Sequence, residues 1–112
     1  MNTKKQFEQF YGTQQYFPYN NYAYTDGMNY LLQFLDDEDK KELLNNICNT
    51  TSFLYPFTST TLKVTKDSIT VNITDGNGKK LVTFDLNKPE KLDTGLYKIF
   101  CYNYVIMAAS EY

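Results

Sequence analysis

The 112-residue sequence contains no histidine, no arginine and no tryptophan. Without histidine, the chain lacks the side chain that most often moves protons near neutral pH and the commonest nitrogen ligand of metals. Without arginine, it lacks the planar cation that grips phosphate through two parallel hydrogen bonds. A Ser–His or Cys–His nucleophile is excluded. We therefore predict no catalytic residue, no metal site and no cofactor.

Long apolar runs and cysteine are also scarce and lysine is the only cation, and each of these features limits the kind of protein the chain could be. No stretch approaches the 18 apolar residues of a membrane span, and Met1–Lys5 lacks the apolar run of a signal peptide. Cys48 and Cys101 are far apart, which favours two buried, reduced thiols in a cytoplasmic protein. A net charge of −2 with lysine as the only cation argues against sequence-specific binding of nucleic acid.

Aromatic residues, by contrast, are abundant: the chain has eleven tyrosines and eight phenylalanines. Tyrosine has a large, stiff contact surface with a polar tip and often anchors protein interfaces. Between Thr13 and Tyr24 aromatic and amide residues follow no helical or strand period, so we expect a structured loop. This loop holds too many aromatic residues for all to be buried in so small a domain. The predicted partner-binding anchors are Tyr16, Phe17, Tyr19, Tyr22 and Tyr24.

The apolar pattern changes once along the chain. In the part from about residue 3 to 48, on either side of that loop, apolar residues recur at intervals of three and four, which predicts helices. Thr25–Gly27 is expected to supply the N-cap of the second helix. From about residue 55 to 108 they alternate, which predicts strands, with Asp75–Gly78 as a hairpin turn. We therefore predict a single α+β domain over residues 1–112. Two or three N-terminal helices would pack on one face of an antiparallel meander of four or five strands.

Two acidic motifs have ordinary explanations. Asp36–Asp39 opens the predicted third helix, where carboxylates favour the helix dipole, so a metal site there is the weaker interpretation. Asp93–Gly95 matches the tripeptide of aspartic proteases, but a polar turn between strands fits better. We predict that Asp36, Asp37 and Asp39 form a charged rim beside the aromatic anchors, which suits a partner with a basic groove.

Four short motifs occur in order along nearly the whole chain: Phe10–Thr13, Tyr24–Leu31, Asp75–Gly78 and Ser110–Tyr112. Together they resemble an uncharacterised family of small proteins carried by phages, prophages and plasmids. Members of that family often have tryptophan or histidine after the Gly-Thr pair and near the helix end, where this chain has tyrosine, phenylalanine and leucine.

This resemblance implies residence on a mobile element inside a bacterial host cell, in the cytoplasm. Small, acidic, non-enzymatic proteins in that setting are frequently inhibitors of host defence. The leading expectation is an anti-CRISPR protein that binds a host defence nuclease or its ribonucleoprotein complex, with an RNA-targeting effector preferred. The alternative is a sponge that sequesters a nucleotide signal in an aromatic pocket, with backbone amides near Gly27 holding phosphate. A housekeeping accessory of the mobile element is a third interpretation.

Overall fold

The computed structural model describes residues 2–112. Its helices are α1 (Thr3–Phe7), α2 (Asp26–Leu32) and α3 (Asp37–Thr50), and a short 3-10 turn covers Ala109–Glu111. Its strands are β1 (Phe17–Tyr19), β2 (Tyr22–Tyr24), β3 (Phe57–Val64), β4 (Ser68–Thr74), β5 (Lys80–Asn87), β6 (Gly95–Tyr102) and β7 (Val105–Ala108). Within residues 2–112, no helix combines the length and the apolar character needed to cross a bilayer.

All seven strands belong to one sheet, in the order β1-β2-β7-β6-β3-β4-β5. Strands β2 and β7 run parallel, with Ala23 opposite Val105, and the other neighbouring pairs are antiparallel. The predicted fold class is therefore wrong. The sheet is mixed and larger than a four- or five-stranded meander, and β1 and β2 precede α2, so the helices are not one N-terminal set.

The physical reason for this error is the length of the first two strands. Each has three residues, too few to show an alternating pattern in the sequence. They are strands because β2 finds its partner in β7, about 80 residues later along the chain. Long-range pairing, and not local propensity, decides the conformation of this segment.

The core lies between the helices and one face of the sheet. Strand β4 shows the alternation clearly, since Ile69, Val71 and Ile73 are fully buried and their neighbours are not. Against them pack apolar residues of the helices, among them Leu43 and Leu44 of α3. The predicted hairpin at Asp75–Gly78 is confirmed as the β4–β5 connection, with both of its glycines at positive φ.

The start of α2 is closed by the side chain of Glu111. Within the predicted capping tripeptide Thr25–Gly27, Thr25 is the N-cap. Its hydroxyl accepts the Met28 N–H at 3.3 Å and donates to Glu111 Oε1 at 2.5 Å. The same carboxylate accepts the Gly27 N–H at 3.2 Å and the Ala108 N–H at 2.9 Å. It thereby joins α2 to the end of β7, and we call this arrangement the Glu111 clasp.

The loop before β1 is attached to the same helix start. The Asp26 N–H donates to Thr13 Oγ1 at 2.9 Å, and the Gln14 N–H donates back to Asp26 Oδ2 at 2.9 Å. Three of the four motifs of the sequence, around Thr13, Thr25 and Glu111, therefore meet at one place. Their shared role in this structure is to hold the fold together.

A similar bond pair fastens α1 to the turn before β6. The Thr3 N–H donates to Asp93 Oδ2 at 2.6 Å, and the Asp93 N–H donates to Thr3 Oγ1 at 2.9 Å. The Tyr97 hydroxyl adds a bond to the Asp93 carbonyl at 2.7 Å. Asp93–Gly95 thus lies where the connection from β5 enters β6, and its hydrogen bonds fasten that connection to α1.

The clasp leaves no room for a side chain at position 27. A Cβ built on Gly27 would overlap Glu111 Oε1 and touch the Ala108 methyl group. We expect Gly27→Ala to lower the free energy of unfolding by about 2 kcal/mol through overpacking. Glu111→Ala should cost about 3 kcal/mol, because it removes hydrogen bonds to a charged acceptor. In the double variant, the methyl group added at position 27 no longer overlaps a carboxylate at position 111. The loss of unfolding free energy should therefore be clearly smaller than the sum of the two single losses.

Urea denaturation followed by circular dichroism measures this cycle. Glu90→Ala is the matched control, because Glu90 is exposed and its loss should change stability by less than about 0.5 kcal/mol. Additive costs in the double variant would contradict the role assigned to the clasp.

Candidate functional site

One end of the molecule exposes aromatic side chains to water. It is formed by the turn between β6 and β7 and by the loop that leaves α3. Phe53 is 98% exposed, Tyr104 62% and Tyr102 48%, and Leu54 beside Phe53 is also in solvent. An exposed cluster of this kind on a small protein is typical of an interaction surface.

These side chains surround a cleft of about 500 Å³, which we call the aromatic cleft. Its lining residues are Tyr22, Thr51, Ser52, Phe53, Pro56, Tyr102, Asn103 and Tyr104. All of them are uncharged. Aromatic rings form the walls, while hydroxyl and amide groups supply a few polar contacts, the usual composition of a binding site.

The turn at Asn103 and Tyr104 has an unusual backbone for its residues. Both have positive φ, +53° and +65°, as in a two-residue type I′ hairpin. Asparagine tolerates this conformation, but at the second position glycine is common and a bulky side chain costs about 1–2 kcal/mol. Strain of this kind often marks functional sites. Here it places the Tyr104 ring in the wall of the cleft, 5.3 Å from the Tyr22 ring centroid.

Tyr22 gives the cleft a fixed wall. Its hydroxyl donates to the Thr51 carbonyl at 3.0 Å, at the end of α3. Burial raises the pKa of Tyr22, and the nearby Cys101 and Cys48 raise it further, so the ring stays neutral at physiological pH. The wall is therefore held by the same helix end that begins the Phe53 loop.

The other predicted anchors have different surroundings. Tyr16 is exposed and lines a smaller cavity of about 220 Å³ together with Tyr102 and Asn103. Phe17 and Tyr24 are half-buried and stack on each other with ring centroids 5.3 Å apart. The Tyr19 hydroxyl donates to Asn45 Oδ1 at 2.5 Å, which ties β1 to α3.

The predicted acidic rim lies at the opposite end of α3. Asp36 caps this helix by accepting the Asp39 N–H at 2.8 Å, and Asp37 is exposed. Asp39 is buried and accepts the Asn87 N–H of β5 at 3.3 Å, so its role is structural. At 1.5 Å rise per residue, Asp36 is about 18 Å along the helix from Cys48, near the cleft. The structure therefore does not bring the acids and the aromatic cleft together.

Sequence reasoning missed Phe53, Leu54, Tyr102 and Tyr104. A signal was present for the last two, because Tyr102–Asn103 is a candidate tight turn in the sequence. The observed two-residue loop is Asn103–Tyr104, one residue later, so Tyr102 ends β6 and Tyr104 lies in the turn. For Phe53 and Leu54 the signal was weaker: two large apolar residues follow the polar run Asn49–Ser52 with no periodic partner.

The two thiols lie next to the cleft wall and are inert. Cys48 and Cys101 are both free, and burial raises the pKa of each from 9.0 to about 11. At neutral pH both therefore remain thiols, and the thiolate, which is the reactive form, is rare. Within residues 2–112, no group of three or more Cys, Asp or Glu side chains is placed to hold a metal ion.

The sequence matches a described protein family over residues 1–112. The chain belongs to a family of unknown function, DUF6876. No curated protein and no solved structure matches it significantly. The family assignment therefore defines the relatives of this chain but assigns no activity to them.

The raised thiol pKa values predict the pH dependence of stability. A thiol with a pKa of 9.0 unfolded and about 11 folded keeps its proton longer in the folded state. Its contribution is therefore fully present below pH 9 and is lost as the pH rises towards 11. Buried tyrosines such as Tyr97, whose pKa is also raised, continue this decline at higher pH.

Urea denaturation from pH 7 to pH 11 measures this decline. In a Cys48→Ala, Cys101→Ala variant the decline should begin nearer pH 10, because tyrosines are then the remaining described groups whose pKa folding raises. An identical onset in the variant and the parent would contradict the burial of the thiols.

Proposed function

We propose that this protein is a non-enzymatic inhibitor that binds a bacterial defence nuclease through the aromatic cleft. The observation that carries the proposal is the exposure of Phe53, Tyr102 and Tyr104 around one concave surface. Leaving such rings in water is unfavourable, and binding a protein surface recovers that cost.

The cleft has the chemistry of an interface centre. Its uncharged lining favours an apolar or aromatic side chain of the partner, since a buried charge there would find no opposite charge. Phe53 and Tyr104 are suited as anchors, because large rings concentrate binding energy at the middle of interfaces. Exposed Leu54 extends the apolar contact beyond the cleft.

Surface charge supports a basic partner. The exposed carboxylates Asp36, Asp37 and Glu38 cluster at the start of α3, about 20 Å from the cleft. At that distance they act by steering a basic protein towards the molecule and less by direct contact. Proteins that hold nucleic acid carry basic grooves, so a nuclease fits this charge pattern.

The resemblance of the sequence to proteins of mobile elements supports a host defence protein as the target. The sequence resembles small proteins carried by phages, prophages and plasmids, and such proteins gain by blocking host nucleases. An RNA-guided effector, with RNA-targeting effectors first, is the target we propose. The role would then be that of an anti-CRISPR protein in the cytoplasm of the bacterial host.

Binding and cleavage assays with purified effector–RNA complexes test the proposal. Tyr104→Gly and Phe53→Ala should each weaken binding by about 2 kcal/mol and reduce inhibition of cleavage. Both should keep the fold. Phe53 is in solvent, and in Tyr104→Gly the relief of positive φ offsets the lost ring contact to within about 1 kcal/mol.

Tyr11→Ala is the matched control, because Tyr11 is 85% exposed but does not line the cleft. It should bind like the parent. Affinity tags should be placed at the N-terminus, since Glu111 is part of the clasp.

If no effector in the panel is bound or inhibited, and phage plating on defended hosts is not rescued, the proposal fails. Equal binding by all three variants would remove the cleft as the interface.

A nucleotide sponge is the second candidate, and the cleft itself is the observation in its favour. A volume of about 500 Å³ suits a small molecule, and the tyrosine rings could stack on a base. The lining, however, supplies no cation for phosphate. The amide of Gly27 is also taken, because it donates to Glu111 Oε2.

Isothermal titration calorimetry with cyclic and ADP-ribose-type nucleotides decides between the two candidates. We expect no binding heat from any nucleotide. A saturable heat that Tyr104→Gly abolishes would favour the sponge over the inhibitor.

A further inference from the structure

The two edges of the sheet are protected very differently. At one edge, β1 has three residues and includes Pro18, which has no N–H to offer a further strand. At the other edge, β5 has eight residues and no proline. Among residues 2–112, β5 pairs only with β4. A long edge strand of this kind is a template for pairing with another chain.

Part of β5 is already occupied or irregular. The register shift beside Ile73 and Thr74 disturbs its first residues, Lys80 and Leu81. At its other end, the Asn87 N–H donates to Asp39 of α3. The regular, open part is therefore Val82–Leu86.

The side chains of this open part alternate between the two faces of the sheet. Val82, Phe84 and Leu86 lie opposite the buried residues of β4, yet Val82 and Phe84 are only partly buried. Thr83 and Asp85 are exposed on the other face. Half-exposed apolar side chains at a sheet edge gain from a neighbouring strand that covers them.

We propose that a second copy of this chain pairs with β5 in antiparallel orientation, with Phe84 opposite the partner's Phe84. The segment reads apolar, polar, apolar, polar, apolar from either end, so it is complementary to itself. In this register Val82 lies opposite the partner's Leu86, and the Thr83 hydroxyl lies opposite the partner's Asp85 carboxylate. Two copies thus form one continuous sheet.

Neighbouring registers are less favourable. Antiparallel pairing must keep each side chain on its own face, so the register shifts in steps of two residues. One such shift places Asp85 directly opposite the partner's Asp85, two like charges in contact. The opposite shift places Leu86 against the partner's Lys80, at the irregular end of the strand. The register centred on Phe84 avoids both.

Sedimentation equilibrium of the full chain over a range of concentrations tests the pairing. The parent protein should dimerise reversibly. Thr83→Lys places an ammonium group opposite the partner's Asp85 twice in each dimer and should lower the dimer Kd. Thr83→Glu places a carboxylate there and should raise it. Each dimer contains two such pairs, and each pair contributes about 0.2–1 kcal/mol. Each substitution should therefore change the dimer Kd roughly 2- to 30-fold.

Thr94→Lys and Thr94→Glu are the matched controls, since Thr94 is exposed in the turn before β6. They should leave the dimer Kd within about twofold of the parent, because they change net charge without touching β5. A parent protein that stays monomeric up to about 1 mM would overturn the proposal, as would Thr83 variants that shift the Kd in the same direction. Opposite shifts in the two Thr83 variants, absent in the Thr94 pair, would support it.

Discussion

One half-buried carboxylate joins the start of α2 to the end of β7. It belongs to Glu111, which accepts hydrogen bonds from Thr25, Gly27 and Ala108. The parallel pairing of β2 and β7 lies directly beside this clasp, since the Thr25 N–H donates to the Ile106 carbonyl at 3.1 Å. Without the carboxylate, the Thr25 hydroxyl and the N–H groups of Gly27 and Ala108 would lose this acceptor, although all three residues are largely buried.

This arrangement separates the motifs that define the sequence from the surface proposed to bind. The Gly-Thr, Thr-Asp-Gly and Ser-Glu-Tyr motifs form the hydrogen bonds at the start of α2, and the Asp75–Gly78 motif forms a hairpin turn. None of the residues that line the aromatic cleft belongs to these four motifs. Substitutions in the lining of the cleft would therefore leave the hydrogen bonds of the clasp in place.

The sequence predicted whatever depends on local pattern. The capping tripeptide Thr25–Gly27, the acidic start of α3, and β4 with its hairpin turn at Asp75–Gly78 were recognisable, because helix caps and alternation act over a few residues. It did not predict β1 and β2, whose pairing depends on β7, nor the contact between Tyr19 and Asn45. The aromatic cleft was not recognisable from the sequence for the same reason. Whether a tyrosine side chain is exposed or packs against a helix depends on contacts between residues far apart in the chain. The bond from the Tyr22 hydroxyl to the Thr51 carbonyl is an example.

The long reach of the clasp also has a consequence in time. Thr25 and Glu111 are separated by 86 residues, so the start of α2 remains open until the ribosome has made nearly the rest of the described chain. At 5–20 residues per second, this interval lasts roughly 4 to 17 seconds. During it, the sheet lacks β7, so the β1–β2 hairpin has no strand that joins it to the rest of the sheet. The nascent chain is then most exposed to proteases and to wrong partners, so its yield in the cell should depend on chaperones that bind aromatic segments during synthesis.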